Sequence, residues 1–479
     1  MRNEERNQPS LKDSLDQLFG KDQLPLDALI DTCKFSFLSM KAMTLETLKS
    51  YDVPVFQAYV MYQSGKEWES SIEGLTPVEV SLSVGLPEMD GSLHGGVIAS
   101  QETIDEESVY LPIEERVEAV VSRVRNWVLL RKKPNKDKRV AIIFHNYPPS
   151  NSNVGSAVGL DSPESVRLLL EAMKDEGYAV DHVPDDSQNL MEEVLAHATN
   201  DRKFLTAAAA RLAEGHLEAD AYKEFFSSLT EKAKKHIVED WGEPIGDVFV
   251  YDNELLIPGF SNGNVWIGVQ PPRGFSDDPN KLYHDPVSAP THHYEGFYHW
   301  LREVWKADAV IHVGTHGNLE WLPGKGTGLS ASCYPEMAIQ DLPNIYPYWT
   351  TIVGEGIQAK RRGAACLVGH LTPPMDQSGL YDAYEELESL LDEYADYKQQ
   401  KDEAKAEKAG ELIIEKAKET HLYDEISCEG LDDLAGKLHE LLTDMKYMQM
   451  RSGLHILGKS PEGEPLLNFL SGLVRTENG

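Results

Sequence analysis

Asp308-Ala-Val-Ile-His-Val-Gly-Thr-His-Gly-Asn-Leu-Glu-Trp-Leu-Pro-Gly-Lys325 opens as a short apolar run and breaks at Gly314 into a polar, Gly- and Pro-rich stretch. A run of this kind is a buried strand, and the residues after it form the loop at its carboxyl end. Two other segments read the same way. Val140-Ala-Ile-Ile-Phe144 leads into His145-Asn-Tyr-Pro-Pro149, and Asn264-Val-Trp-Ile-Gly-Val269 leads into Gln270-Pro-Pro-Arg-Gly274. In a parallel sheet, ligands lie beyond the carboxyl ends of the strands, so three polar loops at three such ends point into one crevice.

Helical segments separate these strands. Ser162-Pro-Glu opens a helix that ends at Gly177, with Ser162 as cap and Pro163 in the first turn. Residues 178–183 then read as a further strand, and a helix runs from about His293 to Trp305. Strands alternating with helices predict an α/β fold, a parallel doubly wound sheet covered on both faces. The acidic segment 186–240 reads as a helical insertion. Before the core, Val53–Val60 and Glu79–Gly85 read as short strands and Ile113–Leu130 as a helix. After it, Leu380, Tyr384, Leu387, Leu391 and Tyr394 mark one apolar helix face ahead of a Glu/Lys-rich helical stretch at 401–418. The expected organisation is a mixed region over 1–130, an α/β core over 131–375, and a helical region over 376–479. The basic run 131–139 is a solvated linker.

The chain has 479 residues, which suggests roughly two to four domains. Its formal net charge of −34 repels phosphate backbones, which argues against nucleic-acid binding as a main function. The four cysteines show no Cys-x-x-Cys spacing, which argues against a thiolate metal site or an iron–sulfur cluster. No stretch approaches the length and apolarity of a membrane span, and the first ten residues are polar, so a cytoplasmic location is expected.

His312, His316 and Glu320 follow one another at intervals of four. If Thr315 caps a helix, His316 and Glu320 share one face and are able to share a divalent metal or a proton. The alternative is that His316 satisfies a loop carbonyl and Glu320 caps a turn. His312, inside the strand, reads as a buried hydrogen-bonded histidine, and one of His292 and His293 as a helix cap. Gly324-Lys325-Gly326 lacks the Ser/Thr that a phosphate-binding P-loop needs, so ATP hydrolysis by this chain is not expected. Lys360, Arg361 and Arg362 close a helix ending at Gly363. There they complement the helix dipole or pair with an anionic ligand, the second reading being favoured for Lys360 and Arg361.

Taken together, these segments resemble the large subunit of cobaltochelatase and, more distantly, the H subunit of magnesium chelatase. The matching pieces include His145-Asn-Tyr-Pro-Pro149, Gly159-Leu-Asp-Ser-Pro163, Ile267–Gly274, His292-His-Tyr294, Phe297-Tyr-His-Trp-Leu301 and Gly314–Lys325. Asp341–Pro347, Gly354–Gly363, Leu371-Thr-Pro-Pro374 and Gly453–Gly458 continue the series. Gly354-Glu-Gly-Ile-Gln-Ala-Lys-Arg-Arg362 looks more like the cobalt branch. Two features depart from the family: its members are more than twice as long, and Thr350-Thr-Ile-Val353 stands where they have an Asn-rich turn.

The resemblance implies a tetrapyrrole-binding chelatase subunit that inserts a divalent metal, cobalt ahead of magnesium, into a corrin precursor of the hydrogenobyrinate a,c-diamide type in cobalamin biosynthesis. ATP would be hydrolysed by AAA+ partner subunits, and separate chains would supply the flanking regions. Magnesium insertion into protoporphyrin IX and a non-catalytic tetrapyrrole-binding fragment are the alternatives. The same resemblance implies roles for single residues. His316 would be metal ligand or proton acceptor, Glu320 the base and a metal ligand, and His145 would face them, with His293 a further metal ligand. Lys360, Arg361, Gln270, Arg273 and Trp321 would hold the macrocycle.

Overall fold

The computed structural model describes residues 13–14, 16–17, 26–36, 49–197, 200, 205, 210–211, 213–275, 285–314, 317–350, 352–373, 375–377, 382–420, 422–426, 428, 430–447, 449–451 and 454–474. The chain divides into two compact units, residues 1–372 with 456–458, and residues 373–455 with 459–479. The architecture is mixed α/β, with parallel strand pairing in both larger sheets.

The first unit opens with a four-stranded sheet in the order β1 (Leu29–Asp31), β2 (Val55–Val60), β3 (Leu93–Ile104), β4 (Glu107–Pro112). The first three strands run parallel and β4 folds back antiparallel on β3. Helix α1 (Glu114–Lys132) packs on β3 through Val120 and Val124, which lie with Phe56 in one buried cluster. Residues 79–85, expected as a strand, are helical instead. Thr76 and Glu79 form a reciprocal capping box around Pro77, and the turn continues through Val80–Gly85. The helix-start chemistry overrides the β-branched residues that follow.

The central sheet has six strands in the order β13 (Ala365–His370), β12 (Asn344–Trp349), β11 (Ala309–Val313), β5 (Val140–Phe144), β10 (Val265–Val269), β9 (Gly259–Asn262). All neighbours are parallel except β9 with β10. All five residues of β5, β10 and β11 are buried, the pattern of strands covered on both faces. Ile142, Phe144, Ile267 and Ile311 pack with α2 (Ser162–Asp175) and α3 (Ser187–His197). On the other face, Ala141, Ile143 and Val310 pack with α6 (His292–His299) and α7 (Tyr334–Ile339). Helices α4 (Ala219–Ser228) and α5 (Glu231–Trp241) and a small sheet of β6 (Gly215–Glu218), β8 (Glu254–Ile257) and β7 (Val250–Tyr251) border this second face.

Two local expectations shift. The cap of α2 is Asp161, whose carboxylate accepts from the Glu164 N–H at 3.0 Å, one residue before the expected Ser162. Residues 178–183 form no strand, because antiparallel β9 occupies that edge of the sheet. The segment is held by one side chain: Asn262 Oδ1 accepts from the Asp181 and His182 N–H groups at 3.0 and 3.1 Å, and its Nδ2 donates to the His182 carbonyl at 2.8 Å.

In the second unit, α9 (Asp382–Gln400) packs on α10 (Glu403–Glu419) and α11 (Leu431–Tyr447), and α12 (Gly463–Leu473) follows. Leu387, Leu391 and Tyr394 of the expected stripe are buried with Ile413, Leu438 and Leu442, whereas Leu380 lies outside the described residues. Among the described residues no helix is long and apolar enough to cross a membrane.

Asn262 is 1% exposed, so removing it strands three backbone groups. Asn262→Ala is expected to lose about 1–3 kcal/mol in urea denaturation, with faster amide exchange over 178–183. Unchanged stability and exchange would count against this clamp.

Candidate functional site

The strand order sets the site. From β5 the chain proceeds to β10 on one side, and from β11 to β12 on the other, while β5 and β11 lie side by side. Loops leaving their carboxyl ends diverge, and the crevice between them is where an open α/β sheet binds ligands. The backbone holds the loops close at this point. The His145 N–H donates to the Val313 carbonyl and the Gln270 N–H to the Phe144 carbonyl, both at 2.8 Å. Position 314 has to be glycine, since a Cβ there would stand 2.2 Å from the His145 Cβ.

Behind the crevice a buried hydrogen-bond chain runs in one direction. Gln270 Nε2 donates to the Tyr298 hydroxyl at 2.8 Å, and this hydroxyl donates to His312 Nε2 at 2.9 Å. His312 Nδ1 donates to Asn344 Oδ1 at 2.8 Å, and Asn344 Nδ2 donates to the Gly363 carbonyl at 2.9 Å. The chain requires a neutral imidazole, and burial pulls the His312 pKa down to about 4. The strand histidine is therefore a buried, hydrogen-bonded group. Alongside it, the Tyr294 hydroxyl donates to Asn318 Oδ1 at 2.7 Å.

Glu320 is 1% exposed and accepts from the Tyr346 hydroxyl at 2.8 Å. It sits on a single 3₁₀ turn, Leu319–Trp321, and not on the α-helix that the spacing from His316 suggested. Pro323 accounts for this, because it disfavours helical backbone at Leu322 and stops the turn. Thr315 and His316 lie outside the described residues. Two arginines grip the loop by its carbonyls. Arg362, on α8 (Val353–Gly363), donates to Glu320 and Leu322 at 2.6 Å and to Lys325 at 3.0 Å. Arg273 is 2% exposed and donates to Trp321 at 3.0 Å, Asp285 at 2.5 Å and Ser288 at 3.3 Å.

The structure places His145, Gln270, Arg273, Glu320 and Trp321 in the loops that follow the carboxyl ends of β5, β10 and β11. His293 points elsewhere. It donates from Nε2 to the Leu256 carbonyl at 2.7 Å and packs on Phe249, and burial lowers its pKa to about 4. Thr291 caps α6, and His292 instead accepts from the Tyr222 hydroxyl and donates to the Gly242 carbonyl, both at 2.9 Å. Arg361 turns toward the first sheet, where it donates to both oxygens of Glu88 at 2.9 and 2.8 Å. Burial works to raise the Glu88 pKa, but hydrogen bonds from His94 and Arg361 outweigh it and hold the carboxyl at about 2. Lys360 makes no hydrogen bond or ion pair among the described residues, and burial lowers its pKa. No group of three or more His, Cys, Asp or Glu among the described residues is arranged to hold a metal ion.

Sequence reasoning missed Tyr294, Tyr298, Asn344 and Tyr346, and gave Arg362 only its place at the helix end. The four-residue spacing of Tyr294 and Tyr298 on α6 was the available signal, since it turns both hydroxyls toward one side.

These features sit in a chain that belongs to the CobN/magnesium chelatase family, whose model matches residues 3–479. An uncharacterized protein of Methanocaldococcus jannaschii is 41% identical over 96% of this chain and 39% of its own length. The aerobic cobaltochelatase subunit CobN of Pseudomonas aeruginosa is 37% identical over 94% of this chain and 36% of its own. The magnesium-chelatase H protein of Rhodobacter capsulatus is 31% identical over 93% of this chain and 38% of its own. Among solved structures, the catalytic subunit of cobaltochelatase from Mycobacterium tuberculosis superposes with a TM-score of 0.78 at 32% identity, covering 98% of this chain and 40% of that one. The chain therefore spans about two fifths of the length of the relatives it matches.

Glu295 of α6 is 1% exposed, and neither carboxyl oxygen has a hydrogen-bond partner among the described residues. Burial raises its pKa from the ordinary 4.5 to about 8. Folding therefore favours the protonated acid. This contribution is complete below the ordinary carboxylate pKa and is lost as pH rises through the folded value. The melting temperature of Glu295→Gln is expected to gain on that of the unsubstituted chain between about pH 5 and about pH 8. Parallel melting curves across that range would contradict a neutral buried Glu295.

Proposed function

We propose that this chain is the tetrapyrrole-binding catalytic portion of a metal chelatase, inserting cobalt into a corrin precursor of the hydrogenobyrinate a,c-diamide type in cobalamin biosynthesis. ATP would be hydrolysed on separate AAA+ subunits. Residues 131–375 would form its doubly wound core, with the helical segment near 186–240 as an insertion, between a mixed region over 1–130 and a helical one over 376–479. The observation that carries the reading is a buried carboxylate, Glu320, bonded to Tyr346 at a strand-end crevice in a chain of the chelatase family.

Insertion of a divalent ion into a free-base macrocycle releases its ring N–H protons, one from a corrin and two from a porphyrin, so the site needs a base beside the ring. Glu320 would take one of these protons, and the Tyr346 hydroxyl would stabilise the carboxylate before transfer. His316 would serve as metal ligand or proton acceptor, with His145 opposite. The Trp321 ring would pack on a macrocycle face, while Gln270 and Lys360 would bind its polar substituents. Arg273 and Arg361 would pair with macrocycle carboxylates only by giving up partners within the protein, which makes Lys360 the readier cation.

Two aerobic cobaltochelatase subunits are 37% and 35% identical to this chain, against 31–33% for the magnesium-chelatase subunits, which supports cobalt. The second reading, magnesium insertion into protoporphyrin IX, rests on relatives of that branch that still match 91–93% of the chain. The third reading is a non-catalytic tetrapyrrole-binding fragment, which would bind the macrocycle without turning it over.

Titration with metal-free corrin precursor and with protoporphyrin IX, followed by macrocycle absorbance, is expected to show tighter corrin binding. With AAA+ partners, ATP and Co²⁺, Glu320→Gln is expected to keep that binding and lose about 100-fold or more of insertion rate. Full insertion by Glu320→Gln would remove the assigned base. Preference for protoporphyrin with Mg²⁺ insertion would replace the first reading by the second, and binding without turnover in the complete system would favour the third.

A further inference from the structure

Away from the crevice, within the first unit, α1, α4 and α7 and the turn after α6 enclose a groove of about 870 Å³. Its floor is apolar, built by Ala119, Ala221, Phe225, Leu229, Val304 and Met337. Phe225 stacks on His299 at 4.1 Å, and Val304 remains 50% exposed. Six carboxylates but only two arginines line the walls.

Both arginines are already shared between acids. Arg116 pairs with Glu115 and Glu336, and Arg302 with Glu303 and Asp341. Glu118 and Glu224 are exposed, and their carboxylates have no partner among the described residues. An apolar floor between unneutralised acids complements a helix that carries an apolar stripe flanked by cations.

We propose that this groove docks a basic amphipathic segment of a partner protein, with its apolar face on Phe225, Val304 and Met337 and its lysines or arginines on Glu118 and Glu224. The groove lies on the α6–α7 side of the sheet, whereas the crevice opens at the strand ends, so docking leaves the crevice clear. Docking is independent of which metal or macrocycle the crevice takes.

The test uses the full chain and a fluorescein-labelled Leu/Lys amphipathic helical peptide of about 18 residues, beside a scrambled peptide of identical composition. Fluorescence anisotropy is expected to show binding of the amphipathic peptide that weakens with salt, and little binding of the scrambled one. Glu118→Lys/Glu224→Lys is expected to weaken it about tenfold or more, while the control Glu171→Lys/Asp175→Lys on the exposed face of α2 leaves it unchanged. Four results overturn the proposal: no binding, equal binding of both peptides, equal loss in both double variants, or no loss at Glu118→Lys/Glu224→Lys. Sedimentation that shows a dimer dissolved by Glu118→Lys/Glu224→Lys would assign the groove to a second copy of this chain and overturn it as well.

Discussion

Arg362 reaches three carbonyls within one short loop, those of Glu320, Leu322 and Lys325. Buried carbonyls outside regular structure need a donor, and a loop that ends in Pro-Gly supplies few of its own. The guanidinium, carried at the end of α8, provides a rigid fork that a lysine does not reproduce. Arg273 holds the same loop at Trp321 from a different part of the chain. At the loop's far end the Lys325 ammonium donates to the carbonyls of Trp68, Glu69 and Ser71 at 2.7, 3.0 and 2.6 Å. Glu320 is therefore placed by backbone fixation from three cations, and Tyr346 orients its side chain.

The positioning of that loop explains how much was legible in the sequence. Val140–Phe144, Val265–Val269 and, apart from His312, Ala309–Val313 are apolar runs because neither face of the sheet meets water, so the three central strands and their polar ends stood out. The order of the strands had no such local mark. Glu79–Gly85 was obscured by β-branched residues beyond a helix cap, and residues 178–183 by an edge already taken by β9. At the site, Gln270, Glu320 and Trp321 were visible as polar or aromatic residues in strand-end loops. Asn344 and Tyr346 were not, because each lies inside a strand and acquires its part only when β12 is laid beside β11. The charges of Lys360, Arg361 and Arg362 looked alike in sequence, yet their surroundings give them three fates. Lys360 is a half-buried ammonium without a partner among the described residues, Arg361 an ion pair with Glu88, and Arg362 a loop clamp.

The crevice and the acidic groove divide the first unit's polar resources differently. In the crevice, charges and hydroxyls are buried and engaged with partners, which makes their geometry stiff. In the groove, Glu118 and Glu224 are solvated and uncommitted among the described residues. A buried network suits the recognition of one shape, and an exposed acidic rim suits fast, salt-sensitive encounter.

The hydrogen-bond chain from Gln270 to Gly363 has a further consequence. Its four bonds all point the same way, so each polarises the next and the shifts accumulate along the chain. Electron density is drawn toward the donor end, and the amide oxygen of Gln270 becomes a better acceptor than that of an isolated glutamine. The acceptor end terminates on a carbonyl at the close of α8 and is sealed there. The interior of the sheet thereby gives the strand-end opening an electrical bias toward donors and cations, with no formal charge placed inside it.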